Sequence, residues 1–261
     1  MTELGLVFER KKLLDFGWID GDIKNVFRRS LASDLISLKE CKDFWQNARD
    51  AVLTKLIREG PALDAGCGAG VMTEALLKKG LDVYSFDYDK KLVDYTRGIN
   101  PNTFHCDITK LTQADAEQFG FPKFRTILLA DVIEHIADDV TALRKASMLL
   151  ETGGRVIISV PYHQFFWTEG DVARGHYRRY SKKQLREKLA CAGLEVERMM
   201  YRSFLPIVPF LLSKALKFRI DHEKISKSWL NPVLLWYFRN IENRILLPLG
   251  TELICEAVKV A

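Results

Sequence analysis

Several things this sequence lacks narrow the field first. It has no CxxC pair, and its five cysteines, Cys41, Cys67, Cys106, Cys191 and Cys255, lie far apart. An odd, scattered set excludes a disulfide framework and zinc-finger spacing, and it suits reduced thiols in a cytosolic protein. No run of about 18 uncharged apolar residues occurs, so a spanning helix is not expected. The opening stretch MTELGLVFERKK has no apolar centre of signal-peptide length. There is no internal repeat, no low-complexity tract and no GK[ST] triplet of a phosphate-binding P-loop. A strong charge of one sign is missing too: the net charge of +5 demands no nucleic-acid partner.

What is present suffices for one large core. With 261 residues, 48% of them hydrophobic, the chain is expected to form a single domain with insertions. From residue 61 onward, short apolar runs alternate with helical patterns. Strands are expected at PALDA, LDVYSFD, NTFHCD, FRTILLADV, GGRVIISVP, LEVERMMY and TELICEAVKV. Helices are expected over 71–79, 90–97, 137–150 and 181–192. Ser181 with Gln184 forms a capping-box signal at the last of these. Such alternation implies an α/β chain with a mostly parallel sheet and helices on both faces. Residues 1–58 are expected to be a mostly helical entry. The core is expected at 59–201 and 251–261, with an apolar helical cap at 202–250 inserted between the last two strands. Residues 161–180 are expected to be a polar, aromatic loop after the fifth strand.

The turn LDAGCGAG follows the first strand, where doubly wound sheets bind ligands. Its glycines, Gly66, Gly68 and Gly70, are spaced GxGxG behind Asp64, which departs from the GxGxxG dinucleotide fingerprint. This turn resembles the first motif of class I S-adenosylmethionine (SAM)-dependent methyltransferases. The resemblance continues in order through YSFDYD, FHCDI, LLADVIEHI and LLETGGRVIISVP, over roughly residues 45–200. It implies a Rossmann-like seven-stranded fold and SAM as cofactor. It also implies a binding set of Asp64, Gly66, Cys67, Gly68, Gly70, Asp87, Tyr88, Asp107, Ile108 and Asp131, with Asp87 at the ribose, Asp107 at the adenine and Asp131 near the methionine end. A carboxylate suits paired hydroxyls, since an ionised acceptor makes the stronger hydrogen bond. The cofactor's sulfonium and ammonium groups tolerate nearby acids.

Two stretches resemble a bacterial and archaeal-type methyltransferase subgroup: KDFWQNARDAVLTKL before the first strand and GDVARGHYRRYSKKQL after the fifth. The chain is more distantly similar to ubiquinone-pathway O-methyltransferases. In those relatives an arginine placed like Arg49 reaches the cofactor's carboxylate; a surface helix arginine is the plain alternative. His176, Arg178, Arg179 and Tyr180, with Tyr162, are candidates to orient an acidic or phosphorylated acceptor. The alternative is a loop clamp, with the arginines tied to Asp171 or Glu169. His135 and His176 are the catalytic base candidates, followed by Tyr162 and His163. In the ubiquinone-pathway relatives an acid-x-x-Glu-His stretch is implicated in divalent metal binding. Asp131, Glu134 and His135 match it here, although no metal is expected.

The implied function is methyl transfer to an O or N atom of a small-molecule or lipid-linked metabolite. The rivals are a metal-assisted quinone-type or phenolic O-methyltransferase and a catalytically silent SAM-binding partner subunit. No NPPY-like or Pro-Cys motif follows the fourth strand, which disfavours a nucleic-acid substrate. Within 229–249, Leu234, Leu235, Phe238, Ile241 and Ile245 are expected on one helical face, opposite Arg239, Asn240, Glu242 and Asn243. That segment and 204–219 suit a lid or subunit face. They also suit an interfacial helix pair, with Lys214, Lys217 and Arg219 toward anionic headgroups. Oligomeric state is left open, and a cytoplasmic location, with or without peripheral membrane contact, is expected.

Overall fold

The computed structural model of the chain describes residues 44–216, 225, 228–245 and 247–260. Seven strands form one sheet: β1 (Ala62–Ala65), β2 (Val83–Asp87), β3 (Thr103–His105), β4 (Phe124–Ala130), β5 (Leu150–Pro161), β6 (Leu194–Arg202) and β7 (Glu252–Lys259). Their order is β3-β2-β1-β4-β5-β7-β6. The sheet is parallel except for β7, which runs antiparallel to both β5 and β6. The chain builds outward from β1 to β3, then crosses back to lay β4 on the other side of β1. The carboxyl ends of β1 and β4 therefore flank a topological switch point, where such sheets open a crevice.

Nine helices lie among the described residues: α1 (Phe44–Leu56), α2 (Val71–Lys78), α3 (Lys90–Arg97), α4 (Gln113–Gln118), α5 (Asp139–Leu149), α6 (Glu169–Arg174), α7 (Lys182–Ala190), α8 (Ile207–Leu216) and α9 (Leu230–Asn240). Both faces of the sheet are covered, so its central strands are mostly apolar; all of β1, Asp64 included, is buried. Side chains of β4 alternate accordingly. Ile127 and Leu129 join Phe86, Val156 and Ile158 under α5 and α7. Leu128 joins Ala62, Ile157 and Ile254 on the opposite face, against Leu53 of α1, Ile57 just after it and Leu76 of α2.

Local signals set the helix ends. Asp89 caps α3 by accepting from the Lys91 amide, and Ser181 and Gln184 form a reciprocal capping box at α7. A Thr112–Asp115 box starts α4, which the sequence reading passed over. The expected loop 161–180 also contains α6, capped by Thr168 and Asp171.

The insertion differs from its expected pattern. Helix α9 ends at Asn240, leaving Ile241 and Ile245 exposed rather than on the apolar inner face. Phe238 does point inward, stacking on Phe44 at 5.8 Å between ring centroids. Glu242, expected on the polar face, turns in. Its carboxylate accepts from the backbone amides of Ser203 (2.6 Å), Phe204 (3.2 Å) and Leu205 (3.3 Å). Three otherwise orphaned amides drive that reversal. Residues 1–43 of the expected entry, with Cys41, Lys217 and Arg219, lie outside the described residues.

Candidate active site

The glycine turn joins β1 to α2 at the switch point. Gly66, Gly68 and Gly70 have φ of 81°, 52° and 72°, a region costly for residues with a Cβ. Space is short as well: a Cβ on Gly66 would lie 2.7 Å from Cγ2 of Val132, and one on Gly70 would lie 2.8 Å from Cγ2 of Thr96. The turn is pinned to the end of β2. Gly66 and Cys67 amides donate to the Phe86 carbonyl at 2.8 and 2.9 Å, and the Gly68 amide donates to Oδ2 of Asp87 at 2.8 Å. Oδ1 of Asp87 accepts from the Asp89 amide at 2.8 Å. A carboxylate has about four acceptor sites, so capacity remains for paired hydroxyls. Burial raises the Asp87 pKa, and the backbone amides oppose that rise. Cys67 is buried, and burial together with the Asp64 and Asp87 charges pushes its thiol far above the ordinary range, so it is inert at neutral pH.

Asp64 sits differently from its neighbours in the turn. It is fully buried, and its carboxylate accepts from Thr73 Oγ1 at 2.6 Å, while Thr73 and Ser85 hydroxyls lie 2.9 Å apart. It ties α2 to β1 beneath the turn instead of facing the crevice. Burial pushes its carboxyl up to about 6, with the Thr73 bond opposing. Tyr88, half-exposed, follows Asp87, and its carbonyl pairs with His105 Nε2 at 2.8 Å. After β3, Oδ1 of Asp107 accepts from the amide (3.0 Å) and hydroxyl (2.7 Å) of Thr109. Ile108 is buried in the core.

Across the switch point, Asp131 directly follows β4, with φ of 54°. Ser159 of β5 donates to its Oδ1 at 2.9 Å, and Arg49 of α1 donates to its Oδ2. Arg49 is buried and also donates to Asp50 at 2.9 Å. Burial disfavours its charge, but the carboxylates of Asp131 and Asp50 outweigh that. Arg49 is thus no surface residue: α1 carries it to the end of β4.

Glu134, His135 and His176 offer ligand atoms that all lie within 4.8 Å of one another. The two imidazoles meet edge to face at 4.6 Å between centroids. Glu134 is buried, its Oε2 has no hydrogen-bond partner, and burial first, then the Asp131 charge, raises its pKa well above the carboxylate range. Of the expected trio, Asp131 is committed to Arg49 and Ser159, and His176 takes the third place.

The GHYRRY loop is a clamp. Arg179 donates to both oxygens of buried Asp171 at 3.0 and 2.9 Å, and His176 Nδ1 pairs with Oδ1 at 2.9 Å. Arg178 donates to the carbonyls of Ile136 (3.0 Å) and Ala137 (2.7 Å) and pairs with Asp139 at 2.7 Å. Tyr180 is fully buried, its hydroxyl 2.7 Å from Asp139. Neither guanidinium nor this phenol is presented to an acceptor as expected, because Asp139 and Asp171 draw them inward. Tyr162 stays part-exposed, its hydroxyl 3.4 Å from that of Tyr201, and His163 Nδ1 accepts from the Phe165 amide at 3.3 Å. Sequence reasoning did not single out Thr73, Ser85, Asp139 or Ser159; these partners are distant in sequence and carry no motif spacing.

Comparison with known proteins shows the family and the fold. A family model described as a methyltransferase domain matches residues 38–198. The ubiquinone biosynthesis O-methyltransferase of Coxiella burnetii is 28% identical over 109 residues, covering 40% of this chain and 44% of that protein. The chain therefore matches less than half the length of such relatives. Among solved structures, one of a complex between the Haloferax volcanii Trm112 methyltransferase activator and a methyltransferase has a TM-score of 0.60 at 18% identity, covering 89% of this chain and 97% of that one. The Burkholderia thailandensis 1,6-didemethyltoxoflavin-N1-methyltransferase has a TM-score of 0.53 at 19% identity, covering 94% and 92%. At these identities the likeness is one of fold.

Proposed function

Given that this chain belongs to the methyltransferase domain family, we propose that it is a SAM-dependent methyltransferase that methylates an O or N atom of a small-molecule or lipid-linked metabolite at the β1–β4 switch point. One observation carries the site: the Gly68 amide bonded to Asp87, which preassembles the glycine turn with a carboxylate. In this reading Asp87 accepts from the ribose hydroxyls and Tyr88 flanks them. Gly66, Gly68 and Gly70 allow close backbone approach, and Asp107 and Ile108 border the adenine. Arg49 meets the methionine carboxylate, with Asp131 holding it in place. Asp64 and Cys67 support the turn from beneath.

The cofactor supplies an electrophilic methyl group on a sulfonium. The chain's task is alignment, which can contribute about 7–11 kcal/mol, against about 3–5 kcal/mol from a general base. With Nδ1 of His176 directed at Asp171, its Nε2 is the atom that can accept a proton from an acceptor hydroxyl or ammonium. His135, packed against His176, borders the same place. Arg178 and Arg179 are neutralised by Asp139 and Asp171, so neither is left to track a polynucleotide backbone. This favours a small acceptor. Radiolabelled SAM incubated with the protein and a cell extract, then fractionated, tests the proposal. Label is expected in the lipid or small-molecule pool; label in protein or nucleic acid, or in no pool, overturns it.

A second reading has its own observation. The Glu134, His135 and His176 cluster, with its orphaned buried Glu134 Oε2, fits a divalent cation. One carboxylate and two imidazoles suit manganese or another first-row ion better than magnesium. Such an ion would polarise an acceptor oxygen. Loss of transfer with chelator, together with a manganese-dependent rise in Tm that Glu134→Gln abolishes, favours this metal-assisted reading; neither effect removes it.

A further inference from the structure

Helices α8 and α9 each turn an apolar face outward. On α9, Trp229, Val233 and Trp236 follow one another at spacings of four and three, which places them on one face; the two tryptophans are 76% and 60% exposed. The opposite side of α9 is already used, with Phe238 packed on Phe44 and Trp45. On α8, Val208, Leu211 and Leu212 form the exposed stripe, while Ile207 is buried and Phe210 packs on Phe166 at 5.2 Å. A soluble surface helix ordinarily shows polar residues on that outer side. Contiguous exposed apolar residues mark an interaction surface.

Charge selects the partner. Between residues 204 and 245 the sequence has seven lysines and arginines against Asp221, Glu223 and Glu242, giving a net +4 out of +5 for the whole chain. Among the described residues of that segment the sole acid, Glu242, is buried on backbone amides, whereas Arg239 and Arg244 are exposed. We propose that the outward apolar stripe of α9 docks on an anionic lipid bilayer, with Trp229 and Trp236 seated at the headgroup level and Arg239 and Arg244 against the lipid phosphates. A second copy of the chain is the poorer occupant, because a two-fold contact through this face would set its positive charge against itself. No helix among the described residues is long and apolar enough to cross a membrane, so the contact is a surface one. It would bring the strand-end site to the membrane and give access to lipid-linked acceptors.

Co-sedimentation of the full chain with phosphatidylcholine vesicles, with and without phosphatidylserine, tests this. The chain is expected to bind the anionic vesicles, more weakly at high salt, and Trp229→Ser with Trp236→Ser is expected to weaken binding about tenfold or more without changing SAM affinity. Should the tryptophan variant fail to fold, Arg239→Glu with Arg244→Glu is expected to weaken binding to the anionic vesicles alone. Absence of wild-type binding, or wild-type binding by the folded variants, overturns the proposal. So does a concentration-dependent dimer that the tryptophan variant abolishes. The assay contains neither SAM nor acceptor, so its failure leaves the proposed chemistry standing.

Discussion

Replacing Asp171 by alanine removes the centre of the loop that walls the site. Its carboxylate accepts from the Thr168 amide (2.7 Å) and hydroxyl (3.0 Å), from His176 Nδ1 (2.9 Å) and from Arg179 Nε (3.0 Å) and Nη2 (2.9 Å). Arg179 has only 10% of its side chain exposed, so alanine leaves a nearly buried charge without its partner. Breaking such a pair costs about 3–5 kcal/mol. For a chain of this size that lowers Tm by roughly 6–20 °C, at about 2–4 °C per kcal/mol. Thermal melts of Asp171→Ala, Arg179→Ala and the double variant measure it, and the two single losses should exceed the double loss. Burial raises the Asp171 pKa, but the His176 and Arg179 hydrogen bonds more than reverse this and hold it well below the ordinary carboxylate range. Its contribution is therefore complete above the unfolded pKa near ~3.9 and fades as pH falls through the lower folded value. Asp171→Asn should accordingly show a shallower acid limb than wild type. A Tm within about 2 °C of wild type for Asp171→Ala, or strict additivity in the cycle, would refute the clamp.

Gly66→Ala combines a left-handed backbone with a 2.7 Å approach to Val132. It should lose roughly 2–5 kcal/mol in urea denaturation, from about 1–2 for the conformation and about 1–3 for overpacking; a loss under about 0.5 kcal/mol contradicts the geometry. Asp64 is pushed up to about 6, so its ionisation destabilises the fold as pH rises from about 4 through 6. Asp64→Asn should gain on wild type by about 3 kcal/mol across that window, at about 1.4 kcal/mol per pKa unit, and parallel profiles would count against it. Burial first, then the Asp131 charge, raises the Glu134 pKa, so ionising it weakens the fold, and Glu134→Gln should gain on wild type as pH rises. A loss of several kcal/mol would mean that the carboxylate is ionised and paired.

Much of the sheet was legible because each strand carries a local signature: β-branched residues in β5, alternation ending on an acid in β2, a glycine turn after β1. The antiparallel placement of β7 between β5 and β6 was not legible, since strand order depends on non-local pairing. Helices α4 and α6 were missed because each is six residues long, too short for apolar periodicity, although both begin with a capping box. At the site, motif residues such as Gly68 and Asp87 fell where their spacing indicated. The fates of Arg178, Arg179 and Tyr180 did not follow from their pattern. A cationic, aromatic loop suits ligand binding and internal clamping equally, and buried Asp139, distant in sequence, decided for the clamp. Glu242 was misplaced for a related reason: helical periodicity was extended past Asn240, where three free amides call for a carboxylate.

The central claim is that the glycine turn and Asp87 together receive SAM. Isothermal titration of wild type and Asp87→Ala with SAM tests it most directly, with folding checked by circular dichroism. The account predicts one molecule bound per wild-type chain and an affinity lower by roughly 10- to 150-fold in the variant, the equivalent of about 1.5–3 kcal/mol for a hydrogen bond to a charged group. Equal affinity in a folded Asp87→Ala variant would contradict it.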